Sequence, residues 1–278
     1  MRADRARVGG AATGFCWEEK QSLTAGRAGS VARVHYESFG TGRPIVFLPG
    51  WGGAAGEGRD VHEPVFEGRR GWRRIYIDPP GTGQSPAVPS ITDQDGMLSA
   101  IADLIDELVD DEPFALAGTS AGGLHARGIV KRDPARVLGL LLRVPGIVVD
   151  RTKRTLPTEE YLIKTAAYQE AWTDKQHRYY DPAEVQADLE FLGRIQGDVA
   201  TYALREDPAA RFEGPTLIVT GRQDTMTGYA DAWPILDDYP RATYAVLDQE
   251  GHDLPVQRAG LYRALVSDWL DRIEHPDA

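Results

Sequence analysis

Residues Pro113–Gly128 read PFALAGTSAGGLHARG. An apolar run ends in small residues, turns on Gly118-Thr119-Ser120-Ala121-Gly122, and continues as a helix-like pattern. A strand that turns sharply into a helix exposes the residue at its apex. Glycines two positions to either side leave room where a β-carbon would collide with neighbouring backbone. In a chain with 30 glycines the pattern G-x-S-x-G is weak by itself. Its place between a strand and a helix makes it stronger, and it marks Ser120 as a candidate nucleophile.

Outward from this turn, short apolar runs alternate with helical patterns. VARVHYESFG alternates apolar and polar residues and predicts an outer antiparallel strand. PIVFLPG, RRIYIDPPG, PFALAGTS, VLGLLLRVPG, PTLIVTGRQD and ATYAVLDQEGH are more continuous, as strands buried on both faces should be. Met97, Ile101, Leu104 and Leu108 recur at helical spacing, and AGLYRALVSDWLDRI predicts a final helix with Leu261, Leu265 and Trp269 on one stripe. Alternation of this kind predicts an α/β fold: a mainly parallel sheet with helices on both faces and functional groups at the C-terminal strand ends.

From about residue 151 to 210 no strand-like run occurs. Thr158 is expected to cap a helix carrying Tyr161, Tyr168 and Trp172 on one face. Asp181-Pro182 is expected to start another, along which Val185, Leu189, Leu192, Ile195 and Val199 keep helical spacing. The segment predicts a helical cap inserted between two strands, leaving 23–150 and 211–278 as the core and 1–22 as a peripheral or disordered start.

A serine nucleophile needs a base within hydrogen-bond reach and donors for the developing oxyanion. LIVTGRQD ends its strand at Asp224 and AVLDQEGH ends the next at His252. The chain order Ser120, Asp224, His252 is one in which this triad occurs on an α/β sheet. Asp150 and Asp248 are the rival acids. The backbone N–H of Ala121, after the serine, and of Trp51, in LPGWGG, are the candidate oxyanion donors. His62 and Glu63 are candidate residues of the site entrance. Asp78 reads as a residue that pins the DPPGTGQS turn by bonding backbone N–H groups, and His125 as a packed helix residue. His35, His177 and His275 show no partner pattern.

These motifs resemble those of the α/β-hydrolase fold. GTSAGG is similar to that family's nucleophile elbow, DPPGTGQS to its D-x-P-G-x-G-x-S turn, and TGRQD and EGH to its acid and histidine loops. The resemblance runs from near PIVFLPG to the C-terminus and lies closest to a bacterial, largely uncharacterised subgroup. It implies an eight-stranded, mainly parallel sheet, a Ser-His-Asp triad and no cofactor. Many relatives have His-Gly after the third strand where this chain has Pro49-Gly50; the backbone donor at Trp51 survives that change.

The expected chemistry is hydrolysis of an ester, thioester or amide of a small to medium apolar substrate. Tyr161, Tyr168, Trp172, Leu189 and Leu192 are the expected lining from the cap. The alternatives keep the triad for acyl transfer, lactonisation or cyclisation, or keep only the fold for ligand binding. The formal net charge of −11 argues against nucleic acid or an anionic membrane as partner. A single cysteine, Cys16, rules out an intrachain disulfide, and no histidine pair has metal-ligand spacing. No apolar stretch approaches the roughly 20 residues that span a bilayer, and the start lacks a signal-like apolar region. A cytoplasmic monomer or homodimer without metal is the expectation.

Overall fold

The computed structural model describes residues 21–25, 33–158 and 165–276. Its centre is an eight-stranded sheet in the order β1-β2-β4-β3-β5-β6-β7-β8. The strands are β1 (Gln21–Ala25), β2 (Val34–Phe39), β3 (Arg43–Leu48), β4 (Trp72–Asp78), β5 (Phe114–Thr119), β6 (Val137–Arg143), β7 (Thr216–Gly221) and β8 (Ala242–Leu247). β2 runs antiparallel to both β1 and β4; every other pairing is parallel. The seven sequence runs become β2 to β8. The eighth strand, β1, opens at Gln21 and Ser22, inside the stretch read as peripheral; residues 1–20 lie outside the described residues.

Two cores follow from the pleat, because successive side chains point to opposite faces. Val46, Leu48, Ile75, Ile77, Leu116, Leu140 and Leu142 pack on one face with α2 (Gln94–Val109) and α3 (Ala121–Arg132). Ile45, Phe47, Tyr76, Ala115, Ala117, Leu141 and Leu217 pack on the other with α1 (Ala55–His62) and α8 (Ala259–Glu274). Asp93 caps α2 by accepting the Gly96 N–H at 2.9 Å. On α8 the buried stripe is Tyr262, Val266, Trp269, Leu270 and Ile273. Trp269 falls on the expected stripe and Leu265 packs partly buried against the same core, but Leu261 is 50% exposed, because the i, i+4, i+7, i+8 and i+11 series that faces the sheet begins at Tyr262.

Between β6 and β7 the described residues hold no strand; the helical elements are a 3-10 turn at Arg151–Lys153, α4 (Ala166–Lys175), a π-helical turn at Gln176–Tyr180, α5 (Asp181–Gln186), α6 (Leu189–Gln196) and α7 (Val199–Tyr202). Thr165, whose hydroxyl accepts the Tyr168 N–H, caps α4. What Thr158 precedes, Tyr161 included, lies outside the described residues. Asp181 does not start a fresh helix, since Tyr180 before it is already helical and the π turn joins α4 to α5. Asp188 interrupts the expected long helix and caps α6, accepting the Phe191 N–H at 2.9 Å. Leu192 and Ile195 are buried accordingly, whereas Val185, Leu189 and Val199 are exposed. α6 is fastened to the turn after β4: the Asp188 N–H donates to the Gly81 carbonyl, and Phe191 fills the space a β-carbon on Gly81 would need.

Candidate active site

β5 delivers Ser120 to the C-terminal edge of the sheet, and α3 begins at the next residue. Ser120 has φ 53 and ψ −115, a conformation that costs a residue with a β-carbon on the order of 1–3 kcal/mol. The two flanking glycines are steric requirements. A β-carbon on Gly118 would stand 2.3 Å from the Gly122 carbonyl oxygen, and one on Gly122 would stand 2.4 Å from that of Leu48. The turn is therefore wedged between its own helix and the end of β3.

The loops after β7 and β8 bring Asp224 and His252 to this serine. His252 Nε2 is 3.0 Å from Ser120 Oγ, and its Nδ1 is 3.0 Å from Asp224 Oδ2. A carboxylate only accepts, so Nδ1 carries the proton and Nε2 is left to accept from the serine hydroxyl. Asp224 is fully buried. Oδ1 accepts the Met226 and Thr227 N–H groups at 2.8 and 2.9 Å, and Oδ2 also accepts the Thr227 hydroxyl at 2.7 Å. Burial alone would raise this carboxyl, but the hydrogen bonds from His252 and Thr227 outweigh it and hold its pKa below the usual value. The two rival acids are elsewhere. Asp150 bonds Thr152, and Asp248 is exposed near Arg258.

Two supports of this arrangement were not read from the sequence. Thr227 is one, and only its position three residues after an aspartate hints at it. The other is Glu250, fully buried, whose carboxylate accepts the N–H groups of Val256, Gln257 and Arg258 and so closes the loop that carries His252. Asp78 does what the turn reading expects: it accepts the Ala55 and Gln84 N–H groups at 2.8 and 2.9 Å. It also pairs with His35 at 2.9 Å, a partner the sequence did not reveal. His125 is packed as expected, with Nε2 2.7 Å from Gln94 Oε1.

Ser120 and His252 open into a cavity of about 600 Å³. Gly50, Trp51 and Ala121 line it beside the serine. The Ala121 N–H belongs to the first turn of α3, where no intrahelical acceptor exists. Trp51 is held edge-on against Tyr202 of α7, ring centres 5.0 Å apart. Leu189 and Leu192 line the cavity as expected, joined by Tyr179, Tyr180 and Tyr202. Charged groups line it too, among them Glu57, Arg143, Arg151 and Arg154. The cap lining expected from the sequence was apolar and aromatic, and these charged residues were not among it.

Four of the expected lining residues stand elsewhere. His62 shares the sheet-facing side of α1 with Ala55, seven residues earlier, and is 2% exposed. Its Nδ1 donates to the Gly58 carbonyl at 2.7 Å, and its Nε2 is 2.8 Å from the Tyr262 hydroxyl. Glu63 pairs with Arg74 and accepts the Tyr76 hydroxyl. Tyr168 and Trp172 meet the His252 loop from α4, Tyr168 beside Gly251 and Trp172 donating from Nε1 to Asp253 Oδ2 at 2.5 Å. The π turn that follows changes the helical phase, so Tyr179 and Tyr180 reach the cavity instead. Among the described residues no cluster of three or more His, Cys, Asp or Glu side chains could hold a metal ion, and no helix is long and apolar enough to cross a membrane.

The model of the "Alpha/beta hydrolase family" matches residues 45–265, and the chain belongs to that family. Among curated relatives it is 25% identical over 266 residues to 2-hydroxy-6-oxononadienedioate/2-hydroxy-6-oxononatrienedioate hydrolase 2 of Pseudomonas putida, covering 86% of this chain and 91% of that one. It is 23% identical over 257 residues to the pimeloyl-[acyl-carrier protein] methyl ester esterase of Legionella pneumophila (strain Corby), covering 85% and 99%. Among solved structures, an alpha/beta superfamily hydrolase from Oenococcus oeni PSU-1 superposes with a TM-score of 0.77 at 23% identity, covering 92% of this chain and 99% of that one. The architecture is the alpha/beta-hydrolase fold, as the sequence motifs implied.

Proposed function

We propose that this member of the alpha/beta hydrolase family is a serine hydrolase that cleaves an ester, thioester or amide of a small to medium substrate. The observation that carries the reading is the hydrogen-bonded chain from Ser120 through His252 to Asp224, opening into a cavity of about 600 Å³. That relatives carry the names hydrolase and methyl ester esterase supports the hydrolytic class.

In this reading Ser120 Oγ attacks the substrate carbonyl while His252 Nε2 takes its proton. Asp224 holds Nδ1–H toward itself, which keeps Nε2 unprotonated before attack and stabilises the imidazolium after it. The N–H groups of Trp51 and Ala121 receive the oxyanion. The imidazolium returns its proton to the leaving group, and an acyl-Ser120 remains. Water, deprotonated by the same Nε2, then attacks that acyl group; the acid leaves and Ser120 is regenerated. Helices α4 to α7 act as a cap over this step, since Leu189, Leu192 and Tyr202 share the cavity with the serine.

The test is labelling with a fluorophosphonate, followed by turnover of p-nitrophenyl esters of increasing acyl length. Label should appear on Ser120 alone, and Ser120→Ala should fold, lose the label and lose turnover. Label on a different serine, or wild-type turnover by Ser120→Ala, would exclude this reading. If added alcohols or amines capture the acyl group faster than water does, the activity is acyl transfer rather than hydrolysis.

A further inference from the structure

A second polar network adjoins the triad, and the chemistry above makes no use of it. Arg143 ends β6 and is 3% exposed. Its Nε donates to the Thr119 hydroxyl at 2.9 Å, and NH1 donates to the Leu254 carbonyl at 2.8 Å. Thr119 immediately precedes Ser120, and Leu254 lies two residues after His252. NH1 and NH2 also grip the Glu57 carboxylate from α1, the helix that follows the Trp51 loop. Glu57 Oε1 accepts a third cationic donor, Lys175 Nζ of α4, at 2.7 Å. Lys175 donates as well to the Asp253 carbonyl at 2.5 Å. The Asp253 carboxylate is bonded by Trp172 and by Tyr180.

We infer that Arg143 is a positioning residue for the Ser120–His252 pair, and that Glu57 extends its hold through Lys175 to the cap; this rests on the hydrolase reading above. One planar guanidinium fixes the neighbour of the nucleophile, a neighbour of the base and the helix behind the oxyanion loop. Its fork geometry sets distances among the end of β5, the His252 loop and α1, in addition to the main-chain bond by which the Arg143 carbonyl accepts the Ser120 N–H at 3.0 Å. A stability role alone is a poor account of it. Burying ion pairs costs desolvation that their attraction only roughly repays, so the network contributes little net free energy as such. Its geometric consequence is larger: a shift of about 1 Å between reacting groups costs roughly 100-fold in rate. Two cations and two carboxylates meet here, so the network is internally neutral and needs no substrate charge to hold it.

The experiment compares wild type, Arg143→Met, Arg143→Lys, Lys175→Met and the Arg143→Met/Lys175→Met pair. Each is checked for folding by circular dichroism. The readouts are kcat and KM on p-nitrophenyl acetate, and the second-order rate of fluorophosphonate labelling. Arg143→Met should lose about 10- to 100-fold in kcat and in labelling rate, with KM within about threefold of wild type. Arg143→Lys should recover part of the loss, because it keeps the charge beside Glu57 but not the fork. Lys175→Met should lose about three- to tenfold in kcat, and nothing further in the Arg143→Met background, as expected for residues acting through one network. A folded Arg143→Met with wild-type kcat and labelling rate overturns the inference. If that variant does not fold, wild-type kcat in both Arg143→Lys and Lys175→Met overturns it instead. A wild-type enzyme that neither turns over ester nor labels would remove the hydrolase reading, and this inference with it.

Discussion

Ser120 is strained because function demands exposure at a point where the backbone would prefer glycine. The left-handed φ of 53 fits a residue without a β-carbon. Ser120→Gly should therefore unfold at a higher temperature than Ser120→Ala, although both are inactive; thermal midpoints of the pair check this, and equal midpoints would mean that the turn is relaxed. Gly122 is constrained from outside: a β-carbon there meets the carbonyl oxygens of Leu48 and Pro49 at 2.4 and 2.5 Å, and backbone cannot swing aside as a side-chain tip can. Gly122→Ala should cost about 1–3 kcal/mol by overpacking. It should also lower kcat by roughly 100-fold by pushing the Trp51 loop from Ser120. Denaturant titration and ester kinetics measure the two effects separately. At the acid, Asp224→Asn removes the charge that orients His252 and stabilises the imidazolium. In serine proteases the same change costs about 10⁴ in kcat. A loss of that order is expected here on p-nitrophenyl esters, and Asp150→Asn should leave kcat unchanged, since Asp150 bonds Thr152 rather than the imidazole.

Helices were legible in the sequence where one face packs on the sheet, and misread where their partners are polar or their phase changes. On α8 the placement of Leu261 off the buried stripe is measurable. Trp269→Ala should cost about 3–5 kcal/mol, since Trp269 is fully buried. Leu261→Ala should stay within about 0.5 kcal/mol, since half of Leu261 faces solvent. Urea unfolding of the two variants checks this; a loss for Leu261→Ala comparable to that for Trp269→Ala would put Leu261 back on the buried stripe. The strands β3 to β8 and the three residues of the hydrogen-bonded chain were readable because apolar runs end at Ser120, Asp224 and His252, and local turn chemistry marks each end. Thr227, Glu250 and Arg143 were not. Their partners lie in other elements or depend on a loop closing back on itself, and single residues of these types carry no periodicity. The segment between β6 and β7 was read as helical, but its faces were not. A π turn at Gln176–Tyr180 and the Asp188 cap reset the phase, and neither leaves a hydrophobic pattern in the sequence.

The two sheet faces each bury a histidine away from the cavity, and together they set how the whole molecule responds to acid. His62, on the α1 side, donates Nδ1–H to the Gly58 carbonyl, so its Nε2 must accept the Tyr262 hydroxyl proton. Protonating Nε2 would force the Tyr262 hydroxyl to turn from donor to acceptor and would leave a charge in a buried site. Burial, aided by nearby Arg143, pushes its pKa down to about 3. His125, on the α3 side, is pushed down to about 4 by burial. Both histidines bind a proton near pH 6.5 once unfolded, so between that pH and their folded values the unfolded state holds more protons than the native one. Stability is then complete above pH 6.5 and falls as pH drops, down to about 4 for His125 and about 3 for His62. Each contributes a slope of about 1 kcal/mol per pH unit. Glu57 and Asp224 act lower on the scale. Arg143 and Lys175 overcome the burial of Glu57 and depress its pKa, as hydrogen bonds do for Asp224, so their contribution is lost only below the ordinary carboxylate range. Acid destabilisation should therefore begin well above that range. Urea unfolding free energies measured from pH 7.5 to 4.5 should be flat at the top and decline below pH 6.5. His125→Gln, whose amide can still donate to Gln94 Oε1, should fold and show a slope about 1 kcal/mol per pH unit shallower. A wild-type curve that stays level down to pH 4.5, or a variant curve parallel to it, would show that these histidines are protonated in the folded protein.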